Sequence, residues 1–180
     1  MKSLSFLLKT GDFMKLMIAS DIHGSALWCR KLVEAFEREK PSRLILLGDV
    51  LYHGPRNDLP DEYSPKDVIG MLNKIADKIL CVRGNCDAEV DDMVLDFPVL
   101  PETLVVFDGE KNIYFCHGHK DIPKAPVPST VVSGHTHIPV NYEKDGVVYI
   151  NPGSVSIPKE SSGHGYIIYE NGMFWQKNLD

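Results

Sequence analysis

The chain has 180 residues, 43% of them hydrophobic and 24% charged, which is the balance of a single globular domain with a sizeable core. The formal net charge of −6 argues against a long basic groove for nucleic acid, and no apolar run approaches the ~20 residues that span a bilayer. The four cysteines form no CxxC pair and no secretory signal is recognisable, so we expect reduced thiols and a cytoplasmic protein.

The first 13 residues are predicted to be an extension that precedes one domain at residues 14–180. Their apolar stretch, residues 4–8, is shorter than the ~7–15-residue core of a signal peptide, and no small-x-small cleavage site follows it. Met14 is an alternative start.

The first half of the domain is predicted to alternate strands and helices. Apolar runs typical of buried strands occupy residues 15–20, 43–47 and 79–82. Residues 25–40 have apolar side chains at helical spacing before Pro41, and a second helix begins with Ser64 as N-cap and Pro65 in the first turn. This β-α-β-α-β order favours parallel strands with right-handed crossovers.

The second half is predicted to be mostly antiparallel. Apolar runs flank three turn dipeptides, Asp108-Gly109, Asp145-Gly146 and Asn171-Gly172, which indicate three hairpins. A further short strand is predicted at residues 130–133. We therefore expect a mixed α/β fold with two packed mixed sheets and helices outside them.

Five short polar motifs each follow a predicted strand. They are Asp21-Ile22-His23, Gly48-Asp49, Gly84-Asn85, His117-Gly118-His119 and Gly134-His135-Thr136-His137. Loops at the carboxyl ends of strands can converge on one site, and five of the seven histidines lie in these motifs. Imidazole, carboxylate and amide oxygen suit divalent cations, and one carboxylate can bridge two ions that clamp a phosphoryl group. The motifs therefore predict a metal centre.

The order of these motifs resembles that of the calcineurin-like metallophosphoesterases. Residues 47–57, 82–87 and 151–156 are similar to the small bacterial YfcE-type phosphodiesterases of that family, and the similarity runs from about Met14 nearly to the end. The resemblance implies a four-layer α/β/β/α sandwich of two mixed sheets. It also implies hydrolysis of a small phosphate diester by a metal-bound hydroxide.

Two divalent metal ions per chain are implied by the same resemblance, with Mn²⁺ expected first and Fe, Zn, Ni or Co compatible with the donors. One ion would be bound by Asp21, His23, Asp49 and His137. The other would be bound by Asp49, Asn85, His117 and His135. Catalysis would then involve Asp49, Asn85 and His117, with Asn85 also facing a phosphate oxygen. On an extended segment His135 and His137 would point to the same side and reach different ions.

Other polar residues have two readings each. His119 either binds the substrate phosphate or caps a loop, and Arg56 either binds phosphate through its planar guanidinium or forms a surface salt bridge. His164, between two glycines, is predicted to lie in a solvated turn. Residues 151–154 are predicted to form a turn that shapes the site. Three cysteines in apolar runs are predicted core residues: Cys29, Cys81 and Cys116.

Two features depart from the wider family. Many relatives have His after the Gly-Asn pair, where it assists the leaving group, whereas this chain has Cys86, so no general acid is assigned. Residues 120–129 include three prolines, at 123, 126 and 128, which exclude a regular helix where relatives have a longer connection. One outer helix is therefore expected to be missing.

Three other functions compete with a phosphodiesterase. The first is a phosphomonoesterase acting on protein, although this short chain has no second domain to hold such a substrate. The second is a non-catalytic scaffold, as in relatives of the retromer complex, but here seven residues fill all eight ligand positions. A nuclease that tracks an extended backbone is disfavoured by the net charge. We expect a small phosphate-ester partner, no membrane partner, and a homo-oligomer if an edge such as residues 173–176 pairs between subunits.

Overall fold

In the part of the chain that the structure describes, two six-stranded mixed sheets carry the fold. The computed structural model describes residues 5–6, 14–100, 102–109, 111–120 and 122–180. Its strands are, in chain order, β1 (Ser5–Phe6), β2 (Lys15–Ala19), β3 (Arg43–Leu46), β4 (Ile79–Val82), β5 (Val99–Leu100), β6 (Thr103–Asp108), β7 (Lys111–Cys116), β8 (Ser129–Ser133), β9 (Val140–Lys144), β10 (Val147–Asn151), β11 (Gly165–Glu170) and β12 (Met173–Asn178). Two α-helices, α1 (Ala26–Glu39) and α2 (Pro65–Leu72), and two 3₁₀ segments, Asn73–Lys78 and Glu89–Met93, lie between strands of the first half.

The first sheet has the order β12-β11-β2-β3-β4-β5. The strands from β2 to β5 are parallel, with Ile18 of β2 opposite Ile45 of β3, whereas β11 runs antiparallel to β2. The predicted β-α-β-α-β order of the first half is confirmed. The carboxyl ends of β2, β3 and β4 therefore lie at one edge of this sheet, which is where the polar motifs begin.

Both α-helices pack on the outer face of the first sheet. Ser25 caps α1 by accepting the Trp28 N–H at 3.3 Å, and the helix ends at Lys40, whose left-handed backbone precedes Pro41. α2 ends at Leu72 and is followed directly by the 3₁₀ segment Asn73–Lys78. The Asn73 side chain ties this junction to the segment before β5, because its Nδ2 donates to Val94 O and its Oδ1 accepts the Asp96 N–H.

The second sheet has the order β1-β6-β7-β8-β10-β9. All three predicted hairpins are confirmed, as β6–β7, β9–β10 and β11–β12. The second half is nevertheless less antiparallel than expected, because β8 lies parallel to both of its neighbours, β7 and β10. This arrangement places the ends of β7 and β8 side by side. The predicted N-terminal extension lies outside the described residues, except that β1 pairs with Val105 and Val106.

An apolar layer between the sheets holds them together, with side chains such as Ile18 and Ile45 facing Phe115 and Val132. The two packed mixed sheets are thus confirmed. The outer face of the second sheet, where the resemblance implies a helical fourth layer, is covered differently. Among residues 111–120 and 122–151 there is no helix, and Ala125 of a proline-rich stretch covers the cluster on the outer face of the second sheet. No helix in the described ranges is long and apolar enough to cross a membrane.

Candidate metal centre

The five polar motifs lie in the loops that follow β2, β3, β4, β7 and β8. The first of them brings Asp21 and His23 against His137 from the fifth. His23 Nε2 and His137 Nε2 are 3.3 Å apart and lie 3.5 and 3.2 Å from Asp21 Oδ1. All three side chains are buried, so a group of one carboxylate and two imidazoles converges on one point inside the protein.

Asp49 lies beside this group. Its Oδ2 is 3.7 Å from His23 Nε2 and 3.4 Å from His117 Nε2, while its Oδ1 accepts the Cys86 N–H at 2.8 Å. One oxygen therefore faces imidazoles from two different loops. Asn85 completes this side, because its Oδ1 is 3.0 Å from His117 Nε2.

The three buried imidazoles are held by backbone carbonyls. The Nδ1–H groups of His23, His117 and His137 donate to Tyr52 O, Leu47 O and Ile157 O at 2.8, 2.7 and 2.7 Å. A carbonyl only accepts, so each ring presents Nε2 to the centre, the orientation typical of metal-binding histidine. Within the described residues the buried Asp21 Oδ1 has no hydrogen-bond partner. Converging lone pairs with an unpartnered carboxylate oxygen fit a cation.

The electrostatics of the centre favour positive charge. Burial alone would raise the pKa of Asp21, but the adjacent imidazoles of His137 and His23 hold it well below its usual range. The pKa of Asp49 is lowered in the same way: burial alone would raise it, but the adjacent His117 outweighs burial. Burial likewise opposes protonation of His117, yet the carboxylates raise its pKa to about 9. Both carboxylates are therefore ionised at neutral pH, where they can bind divalent ions.

Left-handed backbone conformations recur in the motifs. Positive φ angles between 49° and 66° occur at five motif residues: Asp21, His23, Asp49, His135 and His137. Non-glycine residues pay about 1–2 kcal/mol each for this conformation, and such strain concentrates at functional sites. It also corrects one expectation: His135 and His137 do not alternate along an extended segment.

The same two histidines nevertheless face different groups. His137 is buried against Asp21 and His23, whereas the half-buried His135 ring lies 5.1 Å from the His117 ring, centroid to centroid. Glycines make these close approaches possible. A Cβ added at Gly84 would overlap Asp49 Oδ1, and one at Gly134 would overlap Ser20 Oγ.

Two predicted phosphate-binding residues lie at the rim. His119 is exposed, with its ring centroid 5.3 Å from that of His117, and in the described ranges its side chain makes no hydrogen bond that would cap a loop. Arg56 is exposed and has no ion-pair partner there either, so the predicted surface salt bridge is not found. Both remain available to a ligand.

Sequence reasoning missed Asp87, although it ends a segment that carried the family resemblance. Its Oδ2 accepts the N–H groups of Asp49 and Gly84 at 2.8 and 2.7 Å, and its Oδ1 accepts the Val50 N–H at 2.8 Å. One side chain therefore ties the loop after β3 to the loop after β4. The sequence signal that could have identified Asp87 is its acidic side chain two residues after the predicted ligand Asn85.

The turn at residues 151–154 shapes the site, as predicted, by holding the backbone of two motifs. Asn151 Nδ2 donates to Gly134 O at 2.7 Å, which holds the loop that bears His135. Ser154 Oγ and Ser156 Oγ donate to Asp21 O at 2.8 and 3.1 Å. These three side chains fix the backbone of two motifs without entering the centre.

Two other predictions concern residues outside the cluster. The solvated turn at His164 is wrong: its ring stacks on Trp28 with centroids 3.3 Å apart, and its Nδ1–H donates to Val155 O. The buried positions of Cys29, Cys81 and Cys116 are confirmed. Cys86 is half-buried beside Asp49, and burial together with that carboxylate raises the pKa of its thiol to about 12. It is therefore a neutral thiol.

A cavity of about 450 Å³ opens over the centre. Its lining residues come from the loops after β3, β4 and β8 and from Lys159, and they include Asp49, Asn85, His135 and His137. A second cavity of about 430 Å³ lies at the other end of the sheets and includes none of the motif residues. The chemistry and the accessible space thus coincide at the first cavity.

Comparison with known proteins agrees with this geometry. Residues 14–172 match the family model of the calcineurin-like phosphoesterase superfamily domain. The chain is 43% identical over 164 residues to the phosphodiesterase YfcE of Escherichia coli strain K12, covering 89% of each protein. Among solved structures it is similar to that of Yfce, a phosphoesterase from E. coli, with a TM-score of 0.89, 41% identity and coverage of 93% and 94% of the two chains.

More distant structures share the fold. An archaeal phosphodiesterase matches with a TM-score of 0.68 at 22% identity, over 91% of this chain and 99% of that one. Vps29 of Chaetomium thermophilum matches with a TM-score of 0.59 at 17% identity, over 91% of this chain and 97% of that one. The family match over most of the chain and the close relatives lead to one conclusion: this chain belongs to the calcineurin-like phosphoesterase superfamily.

Proposed function

We propose that this protein is a phosphodiesterase that hydrolyses a small phosphate diester with two divalent cations. The observation that carries the proposal is the position of Asp49 Oδ2, between imidazoles from two loops, where one oxygen can serve two ions. The name of the E. coli relative, a phosphodiesterase, supports the same activity.

The proposed ligand sets follow the two sides of Asp49. One ion would be held by Asp21, His23, Asp49 and His137, and the other by Asp49, Asn85, His117 and His135. These donors are nitrogen and oxygen, and the Cys86 thiol lies close to His23 and Asp49 without belonging to the proposed ligand sets. Such a set suits Mn²⁺, our first expectation, and also accepts Fe, Zn, Ni or Co. When bound, two such cations supply the Lewis acidity that phosphoryl transfer to water requires.

The side chains around the centre are proposed to bind and orient the ester. The exposed amide of Asn85 faces the cavity and can donate to a phosphate oxygen. His119, on one side of the rim, can contact another oxygen of that phosphate, and Arg56, elsewhere on the rim, can contact the rest of the substrate. Asp87 and Ser154 hold the loops of Asp49 and Asp21, so the site requires little rearrangement on binding.

The test is hydrolysis of a bis-aryl phosphate and a mono-aryl phosphate by metal-stripped protein reloaded with Mn²⁺, Zn²⁺, Ni²⁺ or Co²⁺. We expect activity only after reloading, with kcat/KM higher for the diester. A higher value for the monoester would make the protein a phosphomonoesterase. Absence of turnover with every metal would instead favour a scaffold. Lys66→Ala, on the exposed surface of α2, is a suitable control variant.

A further inference from the structure

Two cations from separate segments line the cavity over the metal centre. Arg56 comes from the loop after β3, and Lys159 follows the turn that supports Asp21 and His137. Both are exposed, and neither has an ion-pair partner in the described ranges, even though Asp58 and Glu160 are close in sequence. In a protein of net charge −6, two unpaired cations at one cavity are a distinctive feature.

The backbone at each cation is held in place. The Lys159 N–H donates to His137 O at 3.2 Å, and Lys159 O accepts the Ser162 N–H at 3.0 Å. On the other segment, a Cβ added at Gly54 would lie 3.0 Å from Cys86 Sγ, so this loop packs closely on Cys86. Asn57 Nδ2 closes the same loop by donating to His53 O at 2.7 Å. The two charges therefore start from fixed points beside the centre.

The rest of the lining shows what kind of group fits there. In the described ranges no Leu, Ile, Val, Phe, Tyr or Trp side chain lines this cavity. Its remaining lining residues beyond Arg56 and Lys159 are Asp49, Gly54, Pro55, Asn57, Asn85, Cys86, His135, Thr136 and His137. An apolar alcohol would find little to bury against, whereas an anionic substituent would meet two cations and several hydrogen-bonding groups.

The size of the cavity leaves room for such a substituent. About 450 Å³ lies within the ~300–1,000 Å³ typical of small-molecule sites, so it can hold more than the scissile phosphate. Asn85 and the metal-binding side chains already face that phosphate in the proposed function. Arg56 and Lys159 are then free to contact a second group of the same molecule.

We infer that Arg56 and Lys159 together select a phosphodiester that carries a second phosphoryl group on one of its alcohols. The inference rests on the proposed function and assigns Lys159 a part in it. The planar guanidinium of Arg56 can bind two phosphate oxygens at once, and the Lys159 ammonium adds a point charge from the other segment.

The test compares two esters that share a leaving group and a scissile diester. They are thymidine 5′-(4-nitrophenyl phosphate) and the same compound with a 3′-phosphate, both used as probes of charge. With Mn²⁺-loaded protein we expect kcat/KM to be at least about tenfold higher for the 3′-phosphorylated ester. Lys159→Ala and Arg56→Ala should each reduce that preference severalfold, and the double variant should abolish it. Lys66→Ala removes the same charge from the exposed surface of α2 and should keep the preference.

Several results would overturn the inference. These are equal kcat/KM values for both esters in the natural protein, a preference that survives in the double variant, or equal losses on both esters, which would place the cations on the scissile phosphate. If neither ester is hydrolysed, the proposed function fails, and calorimetric binding of thymidine 3′,5′-bisphosphate against thymidine 5′-phosphate then decides. Tighter binding of the bisphosphate that is lost in the double variant supports the inference, and equal binding overturns it.

Discussion

Asp49 is the residue on which both halves of the proposed centre depend. Its Oδ1 is oriented by the Cys86 N–H, which leaves Oδ2 directed at His23 and His117. Its neighbours are placed just as individually, because His23, His117 and His137 each donate to a different backbone carbonyl. At the scale of single residues, each of these side chains is thus oriented toward the centre by a hydrogen bond on its other side.

Replacing Asp49 with Ala should abolish turnover and the binding of both ions. Without the shared carboxylate, two cations would repel each other at close range with nothing between them. Metal content by mass spectrometry and kcat for a bis-aryl phosphate measure this. Asp58→Ala, which removes an exposed carboxylate from the neighbouring loop, is the control. Two bound ions and near-normal activity in Asp49→Ala would disprove the binuclear arrangement.

His135→Ala and His137→Ala should weaken different ions. His137 belongs to the group with Asp21 and His23, whereas His135 lies beside His117. Loss of a direct ligand should exceed the ~10–100-fold cost of losing an outer hydrogen-bond partner. Calorimetric titration of the metal-free variants with Mn²⁺ should show one weakened site in each case. Two unaltered sites in either variant would contradict the assignment.

Cys86 bears on the leaving group. Its thiol, with a pKa raised to about 12 by burial and by Asp49, is a poor acid, and general acid catalysis typically contributes ~10²–10⁴-fold. We therefore expect a steep dependence of kcat/KM on leaving-group pKa, with aryl esters faster than alkyl esters and little change in Cys86→Ala. Cys86→His should raise the rate for alkyl esters, because Cys86 lines the cavity and an imidazole there could supply the missing general acid. A flat series, or a collapse in Cys86→Ala, would reveal an unrecognised acid.

At the scale of elements, the features that could be predicted depend on local sequence signals, and those that could not depend on contacts between distant segments. Strands and hairpins followed from apolar runs and from turn pairs such as Asn171-Gly172, since these signals are local. The parallel pairing of β8 was not predicted, because it depends on contacts with β7 and β10 that are remote in sequence. The stacking of His164 on Trp28 was missed for the same reason. The motif residues were found because each follows a strand.

Asp87 links the loop after β3 to the loop after β4, so its replacement should loosen both loops and not only one hydrogen bond. Asp87→Asn keeps the shape but turns one acceptor into a donor that faces the N–H groups of Asp49, Gly84 or Val50. Each unsatisfied buried donor costs about 1–3 kcal/mol, which is several degrees of Tm for a domain of this size. Calorimetry should show this loss, with weaker metal binding. Asp96→Asn, an exposed neighbour whose carboxylate makes no ion pair in the described ranges, should change Tm little, and equal Tm values for both variants would refute the role.

At the scale of the whole molecule, one end of the two sheets holds the chemistry and the other holds the hairpin turns. The two long edges, β9 and β12, carry exposed aromatic side chains, Tyr142 and Trp175. A homo-oligomer through such an edge remains a prediction. The start of the folded domain at residue 14 is also a proposal, and the family match from that residue supports it.

The stability of the whole metal-free protein should be highest at weakly acidic pH and fall on either side of it. His117 has a folded pKa of about 9 against an ordinary value of 6.5, so its contribution is present below pH 6.5 and is lost as the pH rises through 9. Asp21 and Asp49, with lowered pKa values, contribute above their ordinary value of 3.8 and lose this in acid. Tm of the metal-free protein should therefore be highest between pH 3.8 and pH 6.5, the ordinary pKa values of these carboxyls and of His117.

Mn²⁺ should reverse the alkaline part of this profile, because metal binding requires neutral imidazoles and stabilises the folded state. Tm measured from pH 5 to about 9, with chelator or with excess Mn²⁺, provides the comparison. His117→Gln should flatten the alkaline decline of the metal-free protein. An unchanged Tm between pH 6.5 and 9 in the natural metal-free protein would show that His117 gains no proton on folding.

The hairpin turns have a practical consequence for handling the molecule. The turns at Gly109, Gly146 and Gly172 sit at the ends of β6, β9 and β11, away from the loops that bear the motifs. Loop tips of this kind tolerate inserted segments. A reporter, an affinity handle or a surface anchor placed after Asn171 would thus leave the catalytic mouth facing outward, so that the protein could be immobilised with its substrate entrance unobstructed.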